Sequence, residues 1–399
     1  MRVTFFPLHR FIVSQRGSEF TWAINLARAV AKNNVSCTAV VGQIDAAGSE
    51  QMRKAGIHVR SLGVPPSQSL QGDVTFFAKL LVDWPNVWPN CDVLHHVYPV
   101  GFGHGFNPSL LLQGRRPVVI GPLSREHPED REHADNEIYG KLLGDARSLR
   151  DRPQYPSRIF RSLYARMLGA ADLLLFDNVE SRSVITGAFP AARTTPAETL
   201  GGGGIDPTEF DPSLRSGSPH DPVRVGTLCY FRPRKHVATL IRAVARLRDQ
   251  RIHLVIGGDG PGSNSLRALA RELDVEKSVT FMGVVPRASV PGFLASLDVY
   301  CMPDRFPRSE LPSVQEAMML GLPVIVSPPE RADRLQRIPY GFLADADDAV
   351  AFAEAIIELA TDPALAQKMG SEGLQRARLE FSLDAVGSKL CQIYASVSK

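Results

Sequence analysis

Val255-Ile256-Gly257-Gly258-Asp259-Gly260-Pro261 opens the stretch whose reading decides the fold. It continues as Phe281-Met282-Gly283-Val284-Val285, then Asp298-Val299-Tyr300-Cys301-Met302-Pro303, then Glu310-Leu311-Pro312-Ser313-Val314-Gln315-Glu316-Ala317-Met318. Gly321-Leu322-Pro323-Val324-Ile325-Val326-Ser327 closes it. Each piece is an apolar strand ending in a glycine- or acid-bearing loop, or the helix that follows one. Parallel α/β domains build nucleotide sites in this way, at the carboxyl ends of their strands.

The same rhythm extends outward from this stretch. Downstream of residue 222, apolar runs predict strands over 223–226, 252–257, 279–282, 299–302 and 323–326. Helical periodicity falls between them, over 238–248, 265–273, 290–297 and 313–320, and continues over 349–360, 363–380 and 384–394. Upstream, strands are expected over 3–6, 36–41, 58–62, 92–96, 117–120 and 171–176. A helix over 20–33 puts Phe20, Ile24, Ala27 and Ala31 on one face. Strands alternating with helices mean βαβ units and parallel sheets.

Gly201-Gly202-Gly203-Gly204 is the strongest break in the chain, since four glycines do not sit inside a regular element without cost. Residues 212–222, with proline, serine and glycine and few apolar side chains, follow it. The expected organisation is a first Rossmann-like domain over 1–203, a second over 204–380, and 381–399 packing back on the first. A glycine hinge between two such halves implies a cleft. From 124 to 156 the pattern weakens. Acids come first (Glu126, Glu129, Asp130, Glu132), then arginines that run on past the segment (Arg147, Arg150, Arg152, Arg158, Arg161, Arg166). Two readings stand side by side: a solvated insertion leading into a helix, or a patch for an acceptor or a membrane surface.

Composition narrows the class. The chain has 399 residues, 44% hydrophobic and 22% charged, and a formal net charge of +3, which argues against a dedicated nucleic-acid binder. Cys37, Cys91, Cys229, Cys301 and Cys391 are far apart with no CxxC pair, and several lie in apolar strands, so reduced core cysteines are expected. The apolar start is too short for a secretory signal, and no stretch reaches the roughly 18 apolar residues of a membrane span. A cytoplasmic protein is expected, with peripheral membrane contact left open.

Taken in order, six pieces resemble the retaining glycosyltransferases of family 4, the glycosyl transferases group 1, which have the two-Rossmann-domain GT-B fold. They are Gly204-Ile205-Asp206-Pro207-Thr208-Glu209-Phe210, Arg232-Pro233-Arg234-Lys235, Gly257-Gly258-Asp259-Gly260-Pro261, Phe281-Met282-Gly283, the run from Glu310 to Gly321, and Phe381-Ser382. Each alone is weak; six at roughly the family spacing are not.

The resemblance implies roles for particular residues. Lys235 matches the diphosphate-binding lysine. The arginine usually found five residues before it is Tyr230 here, so Arg232 or Arg234 takes that part. Glu316 matches the acceptor of the ribose hydroxyls. The other family glutamate, eight positions earlier, is Arg308 here, and the nearest acid is Glu310, so either Glu310 through a shortened loop or Arg308 in its place makes the contact to the donor sugar. Ser313, Val314 and Gln315 would offer backbone amides to the diphosphate at a helix start. Gly258 belongs to the glycine turn, and Gly283, Val284 and Val285 would lie against the base. Gly17, in Arg16-Gly17-Ser18, stands where the family has a glycine pair. His95 is expected in the core and His96 facing the cleft. Gly121-Pro122-Leu123 replaces the His-Gly of many members, and His104 and His127 are loop candidates.

The resemblance further implies a retaining, front-face transfer, with the acceptor hydroxyl attacking from the side the diphosphate leaves. Such a transfer needs positioning and stabilised charge rather than a protein nucleophile. No metal and no cofactor are expected. A UDP-sugar is the default donor, with GDP- and ADP-sugars open, and the acceptor is a small molecule, an oligosaccharide or a lipid carrier. Two other readings are kept. One is a related GT-B enzyme, such as a nucleotide-sugar epimerase, or a phosphorylase, for which no pyridoxal lysine is evident. The other is a catalytically weak partner protein that retains the fold.

Overall fold

The computed structural model describes residues 1–12, 18–64, 70–87, 90–97, 107, 110, 116–123, 158–304, 311–328 and 334–398. The chain divides into two compact units, Met1–Gly204 with Leu383–Lys399, and Ile205–Ser382.

The first unit holds β1 (Arg2–Ile12), α1 (Ser18–Ala31), β2 (Ser36–Ile44), α2 (Ala46–Lys54), β3 (His58–Ser61), α3 (Leu70–Val87) and β4 (Val93–His96). Then come β5 (Val118–Leu123), α4 (Arg158–Gly169), β6 (Leu173–Phe176), α5 (Val179–Ala188), α6 (Ala191–Thr194) and β7 (Ala197–Thr199). The strands form one parallel sheet in the order β3-β2-β1-β4-β5-β6-β7. Phe5 and Phe6 are both 0% exposed, yet they enter different apolar clusters, one on each face of the sheet. A strand covered on both faces reads as a continuous apolar run rather than an alternation, which explains the plain sequence signal of β1 and β6.

In the second unit, β8 (Val223–Leu228), α7 (Val237–Arg246), β9 (Ile252–Gly257), α8 (Ser263–Glu272), β10 (Val279–Gly283), α9 (Val290–Ala295) and β11 (Val299–Met302) lead to α10 (Pro312–Met319) and β12 (Val324–Val326). The unit is completed by β13 (Gln336–Ile338), β14 (Gly341–Leu343), α11 (Ala349–Thr361) and α12 (Pro363–Glu380). Its sheet runs β10-β9-β8-β11-β12-β14-β13, parallel except for the β13–β14 pair. Leu254 and Ile256 pack into the cluster shared with α7 and α11, and Val255 into the opposite one with α9 and α10.

A last helix, α13 (Leu383–Val397), belongs to the first unit, where Leu383, Leu390 and Tyr394 share a core with Ala27 and Val30 of α1. The two chain crossings are tied locally. Ile205 N–H donates to Phe381 C=O at 2.7 Å, and Ile205 bridges Ser382. On the other side of the crossing, a Cβ on Gly203 would lie 2.4 Å from Trp22 Cδ1. Asn25 Nδ2 donates to Gly204 C=O at 2.9 Å. Close approach of backbone to an indole therefore accounts for Gly203 in the glycine run.

Several elements carry no clear sequence signal. α2 (Ala46–Lys54) is a polar helix with only Gly48 and Met52 buried, so no apolar stripe marks it. α3, α5 and the three-residue strands β7, β13 and β14 are likewise absent from the expected pattern; a three-residue strand is too short for a period of two to show. All five cysteines are free. Among the described residues, no helix is long and apolar enough to cross a membrane.

Candidate functional site

β8 is the strand at which the order of the second sheet reverses, with β9 and β10 on one side and β11 and β12 on the other. Ligands of open parallel sheets bind beyond the carboxyl ends of the strands at such a switch point. The chain leaving β8 turns through a 3-10 segment, Pro233–Lys235, and the chain leaving β11 reaches Asp304. The two meet. Asp304 is 1% exposed and accepts from Arg234 Nη1 at 2.9 and 2.7 Å and from Lys235 Nζ at 2.5 Å.

Two cations therefore share one buried carboxylate in a place almost closed to water. Burial pushes the Lys235 ammonium below its usual range, Asp304 pulls it back up, and Arg234 pushes it down. An anion that arrives here meets a charge the protein has already desolvated, and so interacts more strongly than at an exposed lysine. His236, in the left-handed conformation at φ 42°, turns the chain from this segment into α7. Of the two arginines left open by the sequence, Arg234 shares the Lys235 carboxylate. The Arg232 guanidinium lies 5.4 Å from the centroid of the Tyr230 ring.

The glycine turn after β9 has a packing reason. Gly258 has φ 124°, and a Cβ there would stand 1.8 Å from Cys229 C=O, so no other residue fits. Asp259 accepts from Gly260 N–H at 2.8 Å and from the Ser263 hydroxyl, and those bonds hold its carboxyl below the usual range. After β10, Gly283 C=O accepts from Gly258 N–H at 2.7 Å, and Val284 stands out at 68% exposure while Val285 is half-buried.

α10 begins differently from the expectation. Its N-cap, Leu311, offers no side-chain bond, and Val314 N–H and Gln315 N–H both donate to Leu311 C=O, at 2.8 and 3.1 Å. Two of the three amides expected to be open to a diphosphate are thus engaged, and the Val314 side chain is in the core. Glu316 lies in the second turn, because the helix starts at Pro312, so the helix dipole does not account for a carboxylate there. It is 6% exposed and accepts from Arg287 Nη1. Burial raises its pKa above the usual range, Arg287 opposes that, and Glu209 adds to it. Tyr300, whose hydroxyl donates to Leu228 C=O at 3.3 Å, links the two halves of the site. Glu316 and Cys229 both bear on it electrostatically, and Lys235 and Asp304 both bear on Cys229.

In the first unit His95 and His96 end β4, 0% and 2% exposed. His95 Nε2–H donates to Gly121 C=O at 2.9 Å and Nδ1 accepts from the Tyr394 hydroxyl at 2.6 Å; burial lowers its pKa to about 4, which keeps it neutral. His96 is as enclosed as a core residue. Gly17, His104, His127, Arg308, Glu310 and the segment 124–156 lie outside the described residues. Sequence reasoning missed Asp304, Arg287 and Glu209 as members of the site. Asp304 had one cue, an acid two residues past an apolar strand.

Residues 214–376 match the family described as Glycosyl transferases group 1. Over 252 residues the chain is 31% identical to a GDP-mannose-dependent alpha-(1-6)-phosphatidylinositol monomannoside mannosyltransferase of Mycobacterium tuberculosis, covering 58% of this chain and 64% of that protein. Over 272 residues it is 27% identical to a D-inositol 3-phosphate glycosyltransferase of Streptomyces avermitilis, covering 62% of this chain and 56% of that protein. The chain thus spans less than two thirds of the length of these relatives. Among solved structures, HepE of Anabaena in complex with UDP superposes with a TM-score of 0.67 at 16% identity, covering 99% of this chain and all of the other. Sucrose-phosphate synthase of Thermosynechococcus elongatus does so with a TM-score of 0.68 at 16% identity, covering 99% and 98%. These likenesses make the fold GT-B, and over residues 214–376 the chain is similar to the glycosyl transferases group 1 family.

Proposed function

We propose that the protein is a retaining glycosyltransferase that moves a sugar from a nucleoside-diphosphate sugar to an acceptor hydroxyl. The observation that carries this reading is the meeting of Lys235, Arg234 and Asp304 at the switch point of the second sheet. In the reaction, the bond from the anomeric carbon to the diphosphate oxygen breaks and a bond to the acceptor oxygen forms. The acceptor proton passes to the departing phosphate, so no protein nucleophile is required. The charge that grows on the leaving diphosphate is what the buried Lys235 and Arg234 stabilise, in place of a bridging metal ion. Glu316 accepts from the ribose hydroxyls, and the exposed Val284 lies against the base beside Gly283 and Val285.

A UDP-sugar was the default donor of the sequence reading. Relatives named as GDP-mannose-dependent make GDP-mannose an equal first choice. The names of these relatives and of the D-inositol 3-phosphate glycosyltransferase make phosphatidylinositol monomannoside and inositol phosphate the first acceptors to try. Purified protein is incubated with UDP-glucose and GDP-mannose with and without these acceptors, and products are followed by mass spectrometry. Transfer or slow donor hydrolysis that Lys235→Ala abolishes supports the reading. Neither product from any donor, together with no binding of UDP or GDP, would sink it and favour the partner-protein alternative.

A further inference from the structure

The segment Gly204-Ile205-Asp206-Pro207-Thr208-Glu209-Phe210 meets the site through Glu209, and Arg287 through its bond to Glu316. They form one assembly around Glu316. Asp206 accepts from Thr208 N–H at 3.0 Å and from the Thr208 hydroxyl at 2.7 Å, which fixes the turn that presents Glu209 and Phe210. Phe210 is 0% exposed, and the Arg287 guanidinium lies 5.0 Å from its ring centroid. One arm of that guanidinium, Nη1, donates to Glu316 Oε1; the other, Nη2, lies 3.6 Å from Glu209 Oε2 and makes no hydrogen bond. The Arg287 side chain is 19% exposed and that of Glu316 only 7%. A guanidinium that lies over a ring and donates through one arm to a carboxylate is held in one orientation, which lysine does not reproduce.

Resting on the nucleotide reading above, we propose that Arg287 is a positioning residue that keeps Glu316 ionised and correctly aimed for the ribose hydroxyls, with Phe210 and Glu209 holding Arg287 in place. The need follows from the surroundings of Glu316. A carboxylate almost without solvent pays for ionisation unless a cation stands beside it. The groups that bear on it are Arg287, Glu209 on the opposite side of the guanidinium, and the Tyr300 phenol from β11. Arg287 is the cation among them. A protonated Glu316 keeps one acceptor oxygen but turns the other into a donor, so it no longer accepts from two hydroxyls. Nucleotide binding is then strong above the Glu316 pKa and lost as pH falls through it. Removing the guanidinium raises that pKa, so the loss moves to higher pH.

The test is titration calorimetry of the full chain with UDP and with GDP from about pH 5 to 9. Variants are Arg287→Met, which keeps the stacked aliphatic bulk, and Arg287→Lys, which keeps the charge. Arg287→Met is expected to bind about tenfold more weakly near neutrality, to recover toward wild type at the alkaline end, and to lose binding at a higher pH than wild type. Arg287→Lys is expected to fall between, which also decides the matter if the methionine variant does not fold. Adding Arg287→Met to Glu316→Gln should change neither the affinity nor its pH profile any further. A loss equal at every pH, or an additive loss in the double variant, overturns the positioning role while leaving the nucleotide site in place. No binding by wild type of either nucleotide removes the nucleotide reading itself, and this proposal with it.

Discussion

Lys235 Nζ, on the turn after β8, and Asp304 Oδ2, at the end of β11, are 2.5 Å apart across the point where the second sheet reverses its strand order. With Arg234 on the same carboxylate, this pair is the most heavily buried charge cluster of the described site.

Asp304→Asn tests the balance of that cluster. The variant takes the shared carboxylate from two buried cations, and breaking a buried pair from one side costs about 3 kcal/mol or more. Urea denaturation should therefore show lower stability. Nucleoside diphosphate binding should move the other way and tighten by about tenfold, since a carboxylate that competes with the diphosphate for Lys235 and Arg234 is gone. Calorimetry with UDP and GDP checks this; weaker binding would mean that Asp304 orients the cations more than it restrains their charge.

Glu316→Gln separates stability from function. Burial places the folded-state pKa of Glu316 above its unfolded value. The favourable contribution of the protonated form is thus complete below the unfolded pKa, near 4.5, and is lost as pH rises through the folded one. At neutral pH the native protein carries the cost of an ionised buried acid, which the amide does not. Thermal melting at about pH 7 should show Glu316→Gln equal to or above wild type, while its nucleotide affinity falls by about tenfold. A marked drop in melting temperature would show that the Arg287 pair is a net support of the fold.

His95 gives the first unit an acid limit. Its pKa in the fold is about 4 against 6.5 for the free side chain. The sign is that of a depressed group: stability is complete above about pH 6.5 and declines as pH falls toward 4, by an amount of order 3 kcal/mol (2.5 pKa units) in full. Denaturant midpoints of the first unit should decline over this window in wild type and remain flatter in His95→Gln. Tyr394→Phe removes the hydroxyl that donates to His95 Nδ1 and should cost about 1 kcal/mol at neutral pH.

Two glycines of the second unit should respond unequally to alanine. At Gly258 the new Cβ meets Cys229 C=O at 1.8 Å, so the turn must move, and a loss of about 3 kcal/mol or more is expected. At Gly283 nothing lies within 4 Å, and only the left-handed backbone at φ 70° is penalised, by about 1–2 kcal/mol. Urea melts of the two variants compare them directly. Equal losses would mean that the loop after β9 yields to the clash.

Much of this was legible in the chain. β9 (Ile252–Gly257), β11 (Val299–Met302) and α12 (Pro363–Glu380) fall on the residues their patterns predict, because an apolar run of strand length, or a stripe at helical spacing, is a local property. α2 and β13 were illegible for the same reason: Met52 and Gly48 alone, or three residues of an edge strand, leave no period to read. Lys235 and Glu316 could be singled out as residues of the right type beside a strand end and within a helix.

What the sequence by itself determined, then, is the parallel α/β architecture, the glycine break, and which strand ends bear charged or glycine-rich loops, since backbone conformation and burial pattern are written over a few neighbouring residues. Only the tertiary structure decided which charges meet. Asp304 lies 69 positions from Lys235, and Arg287 lies 29 from Glu316. Pairs so far apart are set by strand order and by the side chains that close around them. Desolvation, which moves the pKa values of Lys235, Glu316 and His95 away from their free values, exists only once those distant segments have packed together.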